Sequence, residues 1–188
     1  MRIKDFFPKG YFIEPSNEEL VFCNGTDLPV PELHEIPFSS CTLRADMPDS
    51  TITEPSVDLN SSGVVLVEPD YRVWIRKVTG EFGGYEYSFA KGSRGRNENG
   101  VSLQQIAHRE LFEEMGLTCT IIGHLKDMPG YENDARFYFG IRTGGDPRDY
   151  DRETEKVLLV PLKISKNYLN MPRDRFLVDL LIEGLLGT

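Results

Sequence analysis

The sequence of 188 residues predicts an α/β fold, in which a mixed central sheet lies between helices in an α/β/α sandwich, with an N-terminal extension. Short apolar segments bounded by Gly, Pro and Asp predict strands. Two segments among them have helical periodicity, one between Ser102 and Gly116 and one at residues 175–186. Strands and helices in this order favour a layered sandwich. The hydrophobic fraction of 39% suffices for the core of one domain.

The N-terminal third differs in composition from the remainder, so the chain divides into an extension at residues 1–60 and a domain at residues 61–188. Short strands are predicted at residues 19–24 and 40–43. The segment 45–62 is rich in Pro, Asp and Ser and predicts a linker or arm. The extension either lies over the domain or supplies a homodimer contact or part of a binding pocket.

The elements of the domain can be placed in order along the chain. An apolar stretch at residues 63–76 is interrupted by Pro69 and Asp70, which predicts two strands joined by a turn. The pair Gly83-Gly84 then precedes a short aromatic segment. Further strands are predicted at residues 85–89, 119–126, 136–142 and 156–162. Gly187 ends the last helix.

The first helix is specified by its own end signals. Ser102 and Gln105 form an S-x-x-Q capping box, in which each side chain satisfies a free backbone N–H at the helix start. Gly116 fits the C-terminal stop. A buried stripe is predicted for the apolar residues at four-residue spacing, Leu103, Ala107 and Leu111.

Three glutamates lie on one face of this helix. Residues three and four positions apart are neighbours on a helix, so Glu110, Glu113 and Glu114 should project toward one point. Their mutual repulsion costs at least a few tenths of a kcal/mol per pair. A hard divalent cation such as Mg²⁺, which prefers oxygen ligands, would offset that cost. The alternative is an acidic helix end that is simply solvated.

Residues 109–117, R-E-L-F-E-E-M-G-L, resemble the signature of the Nudix hydrolases, G-x5-E-x7-R-E-U-x-E-E-x-G-U with U aliphatic. The second half of the signature is matched at every fixed position. The first half departs from it, because counting back from Arg109 places Val101 where the family has its first glutamate. The opening glycine is best matched by Gly92, which makes the following loop three residues longer than in the family.

The resemblance implies a Nudix α/β/α sandwich and a metal-dependent hydrolase that cleaves a diphosphate bond in a nucleoside diphosphate linked to another moiety. The cofactor would be Mg²⁺ or Mn²⁺. The implied ligands are the three helix glutamates and the backbone carbonyl of Lys91. Arg109 would orient a catalytic glutamate, although an ordinary i,i+4 pair with Glu113 is the alternative.

A glutamate in a later loop acts as general base or extra ligand in many relatives. Glu153 is the first candidate for that role and Glu155 the second, with a solvated loop carboxylate as the alternative for either. Cations before the motif are candidate phosphate contacts, namely Arg76, Lys77, Lys91, Arg94 and Arg96. Aromatic residues that could stack on a base, or belong to the core, are Tyr85, Tyr131 and Tyr138.

ADP-ribose or a nucleotide sugar is the favoured substrate, and a dinucleoside polyphosphate comes next. Pro129 and Tyr131 lie near the positions that carry a proline or a tyrosine in those two groups of relatives, and neither matches cleanly. The alternatives are a Nudix-fold module that binds a nucleotide without hydrolysing it, and an interaction protein that works through its N-terminal arm.

Composition and charge argue against several other classes of protein. The net charge of −9 and the pI near 4.9 argue against a stable nucleic-acid partner bound through a basic surface. No segment approaches the roughly 20 apolar residues that span a membrane, and the N-terminus lacks a signal-peptide core. The three cysteines contain no CxxC pair, so we expect reduced thiols, a cytoplasmic protein and no zinc site.

Overall fold

A computed structural model describes residues 2–33, 59–129 and 134–187. The described residues form eight strands and three α-helices. The strands are β1 (Leu20–Phe22), β2 (Leu59–Leu66), β3 (Arg72–Val78), β4 (Tyr87–Ser88), β5 (Lys91–Ser93), β6 (Leu117–Met128), β7 (Asp134–Gly145) and β8 (Thr154–Pro161). The helices are α1 (Leu103–Met115), α2 (Leu162–Ser165) and α3 (Pro172–Leu186), and 3₁₀ turns occupy Ile3–Phe6 and Thr79–Gly84.

Within the described ranges the strands make two four-stranded sheets rather than the single central sheet that we expected. One has the order β1-β8-β3-β4 and is antiparallel throughout. The other has the order β5-β2-β7-β6, and its central pair, β2 and β7, is parallel, so this sheet is mixed. A bridge between Val67 and Val73 joins the hairpin of β2 and β3 across the two sheets.

Strand alternation places the helices on opposite sides of these sheets. In β2, Val64 and Leu66 face the apolar cluster that contains Ala107 of α1. Val65 faces the other cluster, which contains Leu181 of α3. Successive side chains of a strand point to opposite faces, so each sheet contributes to both clusters. The predicted α/β/α layering is therefore confirmed.

The predicted domain elements are confirmed with small changes of boundary. Helix α1 has the expected Ser102–Gln105 capping box, and Gly116 ends it with φ 69°. Helix α3 starts at Pro172, three residues earlier than predicted, with the proline in its first turn. Among the described helices none is long and apolar enough to cross a membrane.

The described part of the N-terminal segment packs closely on the domain. Strand β1, within the segment where a strand was predicted, pairs with β8, and Phe7 and Tyr11 are buried. The phenol of Tyr11 donates a hydrogen bond of 2.6 Å to the carbonyl of Val67. The turn Ile3–Phe6 contacts α3. The division into an extension and a domain stays a prediction.

The linker predicted for residues 45–62 is wrong at its C-terminal end, because residues 59–62 belong to β2. The hydroxyl groups of the serines in this stretch have hydrogen-bond partners inside the sheet. Ser62 is fully buried and donates to the carbonyl of Arg136 at 3.1 Å, and Ser61 Oγ lies 2.7 Å from Ser93 Oγ. Residues 45–58 and the strand predicted at 40–43 lie outside the described residues.

Candidate active site

Glu114 lies at the base of the candidate site and is only 2% exposed. Its carboxylate accepts hydrogen bonds from the guanidinium of Arg76 and, at 2.9 Å, from the backbone N–H of Lys91. Burial raises the pKa of Glu114 to about 8, although Arg76 and the Lys91 N–H oppose the rise. Hydrogen bonds thus join the carboxylate of this helix residue to β3 and β5, two of the strands that precede α1.

Arg76 is itself fixed on several sides. Its Nη1 donates to the carbonyl of Glu153 at 2.8 Å and to Thr154 Oγ1 at 3.2 Å. Thr154 Oγ1 in turn donates to the backbone carbonyl of Glu114 at 2.7 Å. The guanidinium therefore joins β3, β8 and α1. Its Nε is buried and has no partner among the described residues.

Glu110 lies directly over Gly92. A Cβ added at Gly92 would meet the carboxylate of Glu110, with Oε1 at 2.5 Å. Arg109 Nη2 donates to Glu110 Oε1 at 2.8 Å and to the carbonyl of Ser93 at 2.9 Å. Burial raises the pKa of Glu110 against the effect of Arg109, and Glu113 and Glu153 add to the rise by repulsion. The absence of a Cβ at Gly92 therefore allows the carboxylate of Glu110 to lie in this position.

The first-glutamate position requires a correction. The residue whose carboxylate contacts Arg109 Nη1 is Glu98, while Val101 offers its carbonyl to Arg94 at 3.1 Å. Glu98 also accepts from the N–H of Gly95 at 2.5 Å. Counting back from Arg109 with the family spacing places the three extra residues of the loop before the first glutamate. In the structure they lie after it, between Glu98 and Arg109. Counting forward from Gly92 with the spacing G-x5-E would have found Glu98.

The three helix glutamates do not converge on one point as we expected. Glu114 faces inward, whereas the side chain of Glu113 is half exposed and lies 3.9 Å from Arg109 Nε. Among the described residues no group of three His, Cys, Asp or Glu side chains is arranged to hold a metal ion. Helical spacing makes such residues neighbours, but each side chain then follows its own hydrogen-bond partners.

The two candidate bases are separated by the structure. Glu153 is exposed and lines a cavity beside Glu114, and its charge raises the pKa of Glu110. Glu155 points elsewhere and forms an ion pair of 3.0 Å with Lys77 Nζ. Only Glu153 is therefore placed beside the helix glutamates.

The cavity beside the glutamates has a volume of about 470 Å³, within the range of roughly 300–1,000 Å³ for small-molecule sites. The predicted residues that line it are Arg76, Tyr85, Lys91, Gly92, Glu114 and Glu153. The lining residues that the sequence did not single out include Phe82 and Arg152. Arg94 and Arg96 are not part of its wall. Arg94 instead supports the loop through the carbonyl of Val101.

Two further residues that sequence reasoning missed come from the first turn of α3. The guanidinium of Arg173 lies 5.3 Å from the ring centroid of Tyr85, and Lys91 Nζ lies 4.8 Å from the same centroid. Arg173 Nε donates to Asp174 at 3.2 Å. Asp174 is fully buried, which raises its pKa, and its Oδ2 has no partner among the described residues. No local signal marks these residues, since they lie far downstream of the motif.

The donor chemistry at this site fits a hard divalent cation. The groups around Gly92 are carboxylates, and Glu113, Glu114 and Glu153 are near enough to Glu110 for their charges to interact. Such crowding raises carboxyl pKa values unless a cation intervenes. Glu113, whose side chain is half exposed, can turn toward an ion, whereas Glu110 would have to share its oxygens with Arg109. Glu114 would have to share its oxygens with Arg76.

Comparisons with known proteins agree on the fold. No protein-family model matches the chain. An RNA pyrophosphohydrolase of Caulobacter vibrioides is 26% identical over 111 residues, which span 50% of this chain and 63% of that protein. The matched region thus covers less than two thirds of that relative.

Solved structures resemble the chain over a larger share. A NUDIX hydrolase from Nitrosomonas europaea aligns with a TM-score of 0.55 and 14% identity, over 67% of this chain and 90% of that one. A C. elegans Ap4A hydrolase aligns with a TM-score of 0.55 and 15% identity, over 68% and 99%. A UDP-X diphosphatase aligns at 0.51 with 13% identity, over 74% and 73%. At these identities the likeness establishes a shared fold.

Proposed function

We propose that this chain, which has the fold of the Nudix hydrolases, is a metal-dependent pyrophosphohydrolase that cleaves a diphosphate bond in a nucleoside diphosphate linked to another group. One observation carries the proposal. A buried carboxylate, Glu114, is fixed at the base of a cavity, and a second, Glu110, is held by Arg109 over Gly92. Coupled carboxylates with raised pKa values are typical of functional sites.

The cation would be Mg²⁺ or Mn²⁺, held by Glu110, Glu113 and Glu114 with the backbone carbonyl of Lys91. When bound, it would neutralise phosphate oxygens and lower the pKa of a water molecule. The residues of the chain do the remaining work. Arg109, itself paired with Glu98, keeps Glu110 in place beside the cavity.

Glu153 is the proposed general base. It is exposed at the cavity wall, while its own backbone carbonyl is fixed by Arg76 and by the N–H of Thr79 at 3.0 Å. A carboxylate on an anchored backbone can take a proton from water without a large movement of the loop. Glu155, engaged by Lys77, becomes the less favourable candidate.

Positive groups at the cavity suit a polyphosphate. Lys91 and Arg152 belong to its wall, and Arg173 lies behind Tyr85. Arg76 also belongs to the wall but is committed to Glu114, so we assign it first to positioning that carboxylate. Arg94 and Arg96 would contact only a substrate group that extends beyond the cavity.

The substrate class that we propose is supported by the names of proteins with the same fold. We favour ADP-ribose or a nucleotide sugar, and a dinucleoside polyphosphate next. The names of the neighbours, an Ap4A hydrolase and a UDP-X diphosphatase, support both choices. Of the two positions considered for substrate choice, Tyr131 lies outside the described residues, so it adds no support. The proposal includes a cytoplasmic protein without a stable nucleic-acid partner, and a homodimer contact through the N-terminal segment stays one alternative beside a segment that lies over the domain.

The alternative is a Nudix-fold module that binds a nucleotide without hydrolysing it. Two features of the sequence favour it, the valine at position 101 in place of the first glutamate and the longer loop after Gly92. The ion pair between Glu98 and Arg109 removes the first of these arguments and supports hydrolysis.

A substrate panel tests the proposal. ADP-ribose, nucleotide sugars, dinucleoside polyphosphates, nucleoside triphosphates and a 5′-triphosphorylated oligoribonucleotide are each incubated with Mg²⁺, with Mn²⁺ and with EDTA. We expect metal-dependent cleavage of one class. Glu110→Gln should abolish it, while Glu183→Gln, on the exposed face of α3, serves as the control. If none of these compounds is cleaved while a nucleotide binds tightly, the result would instead establish the binding module.

A further inference from the structure

The segment Thr79–Gly84 forms part of the rim of the cavity and has an unusual backbone. Its φ values are positive at Gly80, Glu81, Gly83 and Gly84, while Phe82 between them has φ −54°. The end of the segment is anchored, because Asn170 Nδ2 donates to the carbonyl of Gly84 at 2.8 Å. A non-glycine residue with positive φ, such as Glu81 at φ 52°, is uncommon, so this turn carries a cost in backbone energy.

Phe82 is 83% exposed, although it contributes to the wall of the cavity. The other large exposed hydrophobic side chains among the described residues are between 37% and 52% exposed. A phenyl ring in this position gains almost nothing from burial on folding. The stability of the domain therefore does not explain why an apolar ring lies in this exposed position.

The second aromatic ring in the wall of the cavity, that of Tyr85, already has two cationic side chains as partners. Tyr85 has Lys91 Nζ and the guanidinium of Arg173 within 6 Å of its ring centroid. Phe82 makes no ring–ring or cation–ring contact with any residue that the structure describes. The cavity thus combines a charged part, formed by Lys91 and Glu114, with an open aromatic surface at Phe82.

We propose that Phe82 is the stacking platform for the nucleobase of the substrate, and that Tyr85 holds Lys91 for the phosphates. The inference rests on the proposed function and deepens it, because it assigns the apolar part of the substrate to a nucleoside. Stacking on an aromatic side chain accepts every base, since each has a flat π-face. Phe82 accordingly sets affinity for nucleotides as a class.

The test measures binding of ADP and of inorganic pyrophosphate by calorimetry in the presence of Mg²⁺. We expect Phe82→Ala to weaken ADP binding about tenfold, within the range for base–aromatic stacking, and to leave pyrophosphate binding unchanged. Phe82→Trp should retain ADP affinity. Phe82→Leu, which is apolar but not flat, should behave like the alanine variant. Phe176→Ala, an exposed aromatic residue outside the cavity wall, is the matched control.

The outcomes separate this inference from the proposed function. Equal ADP affinity in wild type and Phe82→Ala overturns the stacking role, and so does an equal loss for ADP and pyrophosphate. Metal-dependent hydrolysis by the wild type in the substrate panel would leave the proposed function standing in either case. Thermal unfolding of Phe82→Ala should match wild type, which excludes misfolding as the cause of a change.

Discussion

Gly92→Ala gives a sharp test of the site, because the structure shows what the added methyl group would meet. The new Cβ would lie 2.5 Å from Glu110 Oε1 and closer still to the carboxyl carbon. Ordinary carbon contacts are about 3.5–4.0 Å, so the carboxylate of Glu110 must move by about 1 Å or more. The carboxylate is the far end of a flexible side chain, and the backbone of β5 can stay where it is.

The displacement should cost little stability and much activity. An off-rotamer side chain costs about 0.5–1.5 kcal/mol, and the hydrogen bond from Arg109 to Glu110 is worth about as much, so we expect a loss of roughly 1–3 kcal/mol. For a chain of this length that corresponds to about 2–12 °C in Tm. A misplacement of about 1 Å at a catalytic group costs about 100-fold in rate.

The assay compares kcat/KM on the best substrate of the panel with Tm from thermal unfolding. Gly100→Ala is the matched control, since a Cβ there meets nothing within 4 Å and the glycine lies in the same loop. We expect it to retain full activity. Activity of Gly92→Ala within threefold of wild type, in a folded protein, would refute the placement of Glu110 in the working site.

Three further outcomes are expected. Glu98→Gln weakens the interaction that positions Arg109, so kcat/KM should fall about tenfold or more. An unchanged kcat/KM would contradict the assignment of Glu98 as the first glutamate of the motif. Glu114→Gln should remove most hydrolysis, about 100-fold or more, while circular dichroism shows a retained fold. Burial raises the pKa of Asp127, but the hydrogen bonds and charges of Arg136 and His124 together outweigh it and lower the pKa. Its contribution to stability is therefore complete at neutral pH and lost as the pH falls below about 4, and urea unfolding of Asp127→Asn should lack that dependence.

Local signals in the sequence predicted much of the fold. The capping box at Ser102 and the glycine at 116 bracketed α1 because caps act through residues only a few positions apart. The strands of the domain were found from apolar runs and turns. The same reasoning failed at residues 59–62, where serines were taken for a linker and instead lie in β2 with their hydroxyls satisfied.

The candidate site was predicted in its residue types but not in its geometry. Glu110, Glu113 and Glu114 could be named from the motif, whereas their separate orientations depend on Arg76 and Arg109. Glu153 could be distinguished from Glu155 only by the ion pair between Glu155 and Lys77.

The sequence by itself determined the helix with its acidic face, the glycine at 92 and the order of the strands along the chain. Each of these features depends on residues that are only a few positions apart. Only the tertiary structure decided that Glu98 contacts Arg109, that Arg173 approaches Tyr85 and that Phe82 stands exposed at the cavity. These contacts depend on where an insertion folds and on how distant segments pack. Spacing along the chain allowed both Val101 and Glu98 for the first glutamate, and it carries no information about the packing of distant segments.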